Sequence, residues 1–200
     1  MQILKYFENK EKAAEILKEF VIQGKVVVVP TDTVYGLVCD ATNAQAVKKL
    51  FEIKKREKEK PIGIFVRDLK MAKKFARIDK EKEKFLKKLG KDLSKVTFIL
   101  RKREKIPVGT RTTIGIRIPD HPLIKDLFEK IDFPLAQTSA NISGMPATTK
   151  IKALLRQFKA QRIKPDLVFD AGNLKNSKPS TVVDLTGKEL KILREGKIKI

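Results

Sequence analysis

Four short polar segments hold the residue types from which an anion site is built: Pro30-Thr31-Asp32-Thr33-Val34-Tyr35-Gly36, Lys54-Lys55-Arg56, Gly115-Ile116-Arg117-Ile118-Pro119 and Thr138-Ser139-Ala140-Asn141-Ile142-Ser143-Gly144. Anions are held by backbone N–H groups, hydroxyls and forked guanidinium donors, so a phosphate-bearing ligand is the chemistry these segments suit. The basic run continues through Lys58 and Lys60 and stops at Pro61, offering one guanidinium fork and several ammonium charges to a polyphosphate. A basic helix end is also favoured by the helix dipole alone, so this run gains its meaning from the other three segments. Between Thr138 and Gly144, four hydrogen-bonding side chains fall within seven residues. A Ser/Asn turn can satisfy its own backbone, but such a turn seldom needs that many side chains, and binding is the favoured reading.

Other chemistries are poorly supplied. With a single histidine, His121, and a single cysteine, Cys39, no multi-cysteine zinc module and no Cys-His pair can be assembled. Asp120 or His121, just ahead of a helical pattern, reads as a helix cap rather than a catalytic base. Neither a Gly-x-x-x-x-Gly-Lys-Ser/Thr loop nor a Gly-x-Gly-x-x-Gly fingerprint occurs, so the phosphate loop is of another kind.

The segments sit where strands and helices end. Lys10 to Gln23 carries Ala13, Ala14, Ile16, Leu17, Phe20 and Val21 at helical spacing, with Gly24 as its stop. Lys25 to Val29 is a β-branched run closed by Pro30, the pattern of a strand buried on both faces. Asn43 caps a helix through Ile53 whose last turn delivers Lys54 and Arg56. Further strands are expected at 62–66, 96–100, 114–118, 135–138, 167–169, 181–185 and 190–193, with helices at 69–76, 80–89, 123–130 and 150–158. This alternation predicts an α/β fold, a single-domain twisted mixed sheet with flanking helices. The irregular connections at 101–112 and 171–179 argue against an all-parallel sheet; the second is expected to be a surface loop, with a lid over the site as the alternative.

The 200 residues, 42% hydrophobic, suffice for one core, and residues 1–200 read as one domain with its core at about 8–200. One cysteine, no signal-peptide pattern and no membrane-length apolar run predict a cytoplasmic protein without a membrane partner. The net charge of +21 draws polyanions, although lysine-glutamate alternation such as Asp79 to Lys84 also marks a solvated face or a hot habitat.

Taken together, the segments resemble the YrdC family, which makes threonylcarbamoyl-AMP. The resemblance covers almost the whole chain and rests on Pro30 to Leu37, Lys54 with Arg56, Ser139 with Asn141, Gly115 to Pro119 with His121-Pro122, Pro179-Ser180-Thr181-Val182-Val183-Asp184, and Leu193-Arg194-Glu195-Gly196. It implies a nucleotidyltransferase that joins L-threonine, bicarbonate or carbon dioxide and ATP, releasing pyrophosphate, for the N6-threonylcarbamoyl modification of tRNA adenosine. By resemblance, Thr33, Arg117, Thr138 and Ser180 hold threonine, and Lys54, Arg56, Lys60, Thr113, Ser139, Ala140, Asn141, Thr148 and Arg194 surround ATP, with Lys54 and Arg56 catalytic. Mg2+ would be bound through the phosphates. Two positions depart from the pattern: Phe65 stands where many members have a histidine touching threonine, within Pro61-Ile62-Gly63-Ile64-Phe65 against the usual Pro-Leu-Ile-Val-His, and Lys60 replaces an asparagine. The chain resembles the short form of the family. Contact with tRNA or double-stranded RNA and with the downstream tRNA threonylcarbamoyl-transferase complex is also implied. The competing readings are a carbamoyl-adenylate-forming domain of the hydrogenase-maturation type and a non-catalytic double-stranded RNA-binding module; aromatics at 6% with no tryptophan supply base stacking poorly.

Overall fold

The computed structural model describes residues 1–57, 60–187 and 189–200. Among these residues ten strands form one sheet: β1 (Gln2–Lys5), β2 (Val27–Val29), β3 (Gly36–Asp40), β4 (Gly63–Phe65), β5 (Val96–Arg101), β6 (Thr113–Arg117), β7 (Leu135–Ser139), β8 (Leu167–Asp170), β9 (Thr181–Asp184) and β10 (Lys191–Arg194). Six helices accompany them: α1 (Lys10–Ile22), α2 (Ala44–Lys54), α3 (Leu69–Phe75), α4 (Lys80–Lys88), α5 (Pro122–Phe128) and α6 (Ile151–Lys159). The spatial order is β1-β8-β2-β3-β7-β4-β6-β5-β9-β10. Parallel pairs (β1/β8, β2/β8, β4/β6, β5/β9) alternate with antiparallel ones, so the sheet is mixed, as the irregular connections predict.

Local chemistry explains the elements that carry the site. The Asn43 carboxamide oxygen accepts from the Gln45 and Ala46 amides and starts α2; Lys55, left-handed at φ 51°, ends it. α1 packs on α5 and against β2 and β3, and α2 covers β3. Val27, Val28 and Val29 are all buried, as a strand covered on both faces requires. Two strands were not expected. Gly36–Asp40 lacks a regular period and follows the glycine turn at once, and Gln2–Lys5 is an exposed edge strand held by its parallel pairing with Leu167–Asp170.

Registry then sorts side chains by face. Ile64, Phe98, Ile116, Ala136 and Val183 enter the core. Gly63 and Phe65 on β4, Gly115 and Arg117 on β6, Thr97 and Ile99 on β5, Gln137 and Ser139 on β7, and Ser180 with Val182 at β9 line a cavity over the middle of the sheet. The floor is low at its centre because two glycines lie side by side: a Cβ on Gly63 would stand 2.7 Å from the Gly115 carbonyl oxygen.

Candidate active site

The cavity measures about 630 Å3 and collects all four polar segments. At one end the turn before β3 brings Thr33 to the C-terminal residue of β6, Arg117. Arg117 is 4% exposed, and its guanidinium donates from Nε to the Ser94 carbonyl (2.7 Å), from Nη1 to Thr33 Oγ1 (3.0 Å) and from Nη2 to Asp32 Oδ1 (2.7 Å). Its Cζ lies 5.6 Å from the centre of the Phe65 ring, within cation–π range. Burial lowers the Arg117 pKa while Asp32 opposes that shift. A guanidinium has five N–H groups and three are engaged, so both terminal nitrogens keep a donor for a carboxylate. Thr31 Oγ1 donates to the Val34 carbonyl (2.6 Å) and accepts from the Thr33 amide (3.1 Å), which fixes the turn. Ser180 Oγ pairs with Thr97 Oγ1 at 2.8 Å on the adjoining wall.

Farther along the wall lie Arg56, Lys60, Ser139 and Asn141, while Arg194 stands beside Ser180. Arg56 donates from Nε to the Lys60 carbonyl (2.8 Å) and from Nη2 to the Pro61 carbonyl (3.0 Å), while Arg194 embraces the Ser180 carbonyl at 3.2 and 2.7 Å. Both guanidinium values are pushed down, by burial first, and for Arg194 also by Arg117. Ser139 Oγ donates to Asn141 Oδ1 at 2.6 Å, and the Asn141 amide nitrogen donates to the Ile142 and Met145 carbonyls.

The structure brings Thr33, Arg117, Thr138, Ser180, Arg56, Lys60, Ser139, Asn141 and Arg194 to the cavity wall. Four other expected site residues are placed off it. Lys54 is 2% exposed and lies beneath the Ser139–Asn141 turn, where Nζ donates to the Ser139 carbonyl (2.8 Å), the Asn141 carbonyl (3.0 Å), Asn141 Oδ1 (2.8 Å) and Ser139 Oγ (3.3 Å). Burial, with the Arg56 charge, pushes it down to about 7, whereas four oxygen acceptors favour the ammonium. Ala140 is buried and its amide donates to the Tyr35 carbonyl (2.8 Å). Thr113 pairs its hydroxyl with Thr110 (2.7 Å), and Thr148 Oγ1 accepts from the Lys150 amide (3.0 Å) beside the cavity residue Ala147. Lys58, part of the basic run, lies outside the described residues.

One expectation is corrected. His121 occupies the N-cap position of α5 without a side-chain cap bond; its backbone carbonyl accepts from the Ile124 and Lys125 amides, and Asp120 pairs with Lys125 (2.5 Å). The Pro122 ring already supplies the helix start, so no side-chain cap is needed. From the 171–179 connection only Pro179 reaches the cavity. That loop is anchored by Tyr35, whose hydroxyl donates to the Gly172 carbonyl (2.7 Å) and accepts from the Ala171 amide (3.0 Å), with burial pushing the phenol up to about 12. Sequence reasoning missed Asp32 as the partner of Arg117, Thr97 as the partner of Ser180, and Gln137 on the floor. Strand alternation back from Ser139 would have found Gln137.

No group of three or more His, Cys, Asp and Glu side chains converges among the described residues, and among them no helix is long and apolar enough to cross a membrane. The N–H and hydroxyl donors that line the cavity suit an anionic ligand.

Comparison with known proteins gives the same direction. The Sua5_yciO_yrdC family model, described as telomere recombination, matches residues 19–196. A putative threonylcarbamoyl-AMP synthase of Methanocaldococcus jannaschii is 38% identical over 96% of this chain and 90% of its own length. The threonylcarbamoyl-AMP synthase of Pyrococcus abyssi is 33% identical over 94% of this chain, which spans 55% of that longer protein. A crystal structure of P. abyssi Sua5 complexed with L-threonine superposes with a TM-score of 0.82 and 33% identity over 92% of this chain and 54% of that one.

Proposed function

The chain belongs to the Sua5/YciO/YrdC family, and on that premise we propose that it is a threonylcarbamoyl-AMP synthase, joining L-threonine, bicarbonate or carbon dioxide and ATP. The observation that carries this is one cavity that gathers the buried Arg117, braced by Asp32 and Thr33, with the cations Arg56, Lys60 and Arg194 and the Ser139 hydroxyl on one sheet face.

The chemistry follows from charge and placement. Threonine's carboxylate pairs with the free N–H groups of Arg117, and its side-chain hydroxyl meets the Ser180–Thr97 hydroxyl pair. Its amine attacks the carbon of bicarbonate, forming an N–C bond with loss of water, and a carbamate oxygen then attacks the α-phosphorus of ATP as the bond to pyrophosphate breaks. No enzyme nucleophile is needed, which agrees with the lack of a Cys-His pair. The protein positions the reactants and offsets charge: Arg56, Lys60 and Arg194 face the triphosphate, while Lys54 holds the Ser139–Asn141 turn in shape from beneath. With no converging carboxylates among the described residues, Mg2+ fits here as an ion carried by the phosphates, where it would neutralise their charge beside Arg56 and Lys60.

The product, an acyl adenylate, suits transfer to tRNA by a downstream threonylcarbamoyl-transferase complex in the cytoplasm. Residues 1–200 act as one unit in this reading, since positions from Thr31 to Arg194 meet in one cavity. Contact with RNA is a secondary property of the +21 charge and is expected to weaken steeply with salt. The test is incubation of the protein with ATP, Mg2+, L-threonine and labelled bicarbonate. The expected result is pyrophosphate release and label in threonylcarbamoyl-AMP, dependent on both threonine and bicarbonate. Label transfer from carbamoyl phosphate instead would favour the carbamoyl-adenylate reading, and absence of any nucleotide product would leave the fold without this activity.

A further inference from the structure

We propose that Gln137 is a substrate-contacting residue of this site, holding the one-carbon carboxylate, bicarbonate and then carbamate, between the amino acid and the α-phosphate. The inference rests on the synthase reading above and adds a binding group for its third substrate.

The argument is one of position. Gln137 pairs with Gly63 across β7 and β4, and the next pair on the same face is Leu135 with Phe65. Phe65 in turn sits beside Arg117 across β4 and β6. Gln137 is thus one pleat repeat, about 6.7 Å, from the row that carries Arg117, and one repeat in the opposite direction from Ser139 on its own strand. The bond-forming carbon must lie between the threonine nitrogen and the α-phosphorus, hence between these two rows.

The space is open at that point. Gly63 and Gly115 remove side chains from the centre of the floor, and the Gln137 amide nitrogen would stand 3.4 Å from a Cβ built on Gly63. The carboxamide therefore extends over Gly63, into the volume that a side chain at that position would fill. The neighbouring polar groups have other work: Arg117 bonds Asp32, Thr33 and Ser94 and keeps its free N–H groups for the amino-acid carboxylate, Ser139 bonds Asn141, and Ser180 pairs with Thr97. Gln137 lines the cavity half-buried, and its carboxamide takes no hydrogen bond with a described residue. A neutral amide with two N–H donors suits a small planar carboxylate that must be held and then released as an ester-like acyl group, where a cation would hold it too firmly.

The test is steady-state kinetics of Gln137→Ala and Gln137→Glu, varying bicarbonate, threonine and ATP in turn, with threonine binding by calorimetry as the check on folding. Loss of a hydrogen bond to a charged group predicts a rise of about tenfold in KM for bicarbonate in Q137A, with KM for ATP and threonine within about twofold of the parent. Q137E, which keeps the shape and adds a negative charge, is expected to raise KM for bicarbonate further. Unchanged KM for bicarbonate in both variants, or equal rises for all three substrates, overturns the assignment while leaving the synthase reading intact. Failure of the parent protein to form the acyl adenylate overturns the synthase reading, and this inference with it.

Discussion

Around Arg117 each polar side chain of the wall is held by another buried group: guanidinium by carboxylate, hydroxyl and carbonyl, Ser180 by Thr97, Thr33 by Thr31. Around Arg56 and Arg194 the cations rest on backbone carbonyls and stand half-exposed or exposed, and among the described residues Lys60 pairs with Glu57 three residues before it. The contrast matches what each part would hold under the proposed function. A small amino acid must be told from its neighbours by shape and by unsatisfied hydrogen bonds, which requires rigid groups. A triphosphate is bound mainly by charge, which tolerates looser placement and stays effective near solvent.

The comparison is broken most forcefully at Asp32. Asp32→Ala leaves the Arg117 cation buried without its carboxylate, and a loss of about 3–5 kcal/mol in unfolding free energy is expected, read by urea denaturation. An unfolding curve that superposes on the parent would remove the rigid end from the account. Gly63→Ala comes next: its methyl group must displace the Gly115 carbonyl oxygen, with an expected cost of about 1–3 kcal/mol by the same measurement. Arg56→Ala tests the other end and should do the reverse, lowering turnover at least about tenfold through loss of a charged contact, with stability within about 0.5 kcal/mol. Parent-like turnover would take Arg56 out of the mechanism.

Lys54 sharpens the comparison because it serves the phosphate end yet is built like the rigid one. Its folded value of about 7 against the ordinary 10.5 means that between these values the unfolded chain binds more protons than the folded one. By linkage its contribution to stability rises with pH across that window. Activity should move the opposite way, since loss of the proton strips donors from the Ser139–Asn141 turn. A turnover profile falling from about pH 7 upward, beside a melting temperature that does not fall with it, is the expected pair of results; turnover flat to pH 9 would show that the ammonium is not needed.

Much of this was legible in the residues. Polar segments at strand ends marked both ends of the cavity, and the Val26–Val29 run and the Asn43 cap located their supports. What could not be read was pairing across distance. Nothing near Arg117 announces that Asp32, 85 positions away, shares its charge, nor that Thr97 meets Ser180 across 83. Lys54 misleads for the same reason: a lysine ending a helix looks exposed until the 139–141 turn is laid over it. The Gly36–Asp40 strand escaped because it shows neither alternation nor the unbroken β-branched run that marks Val27–Val29, and it begins on the glycine of the turn.

The Lys197 ammonium reaches the Asp32 carbonyl at 2.6 Å, a bond spanning 165 positions. During synthesis the first polar segment emerges early and waits, since Ser180 and Lys197 must also clear the ribosome before its surroundings are complete. The cations Arg56 and Lys60 are thus laid down well before the last partner of the Asp32 turn arrives, so the two parts of the cavity are completed at different times.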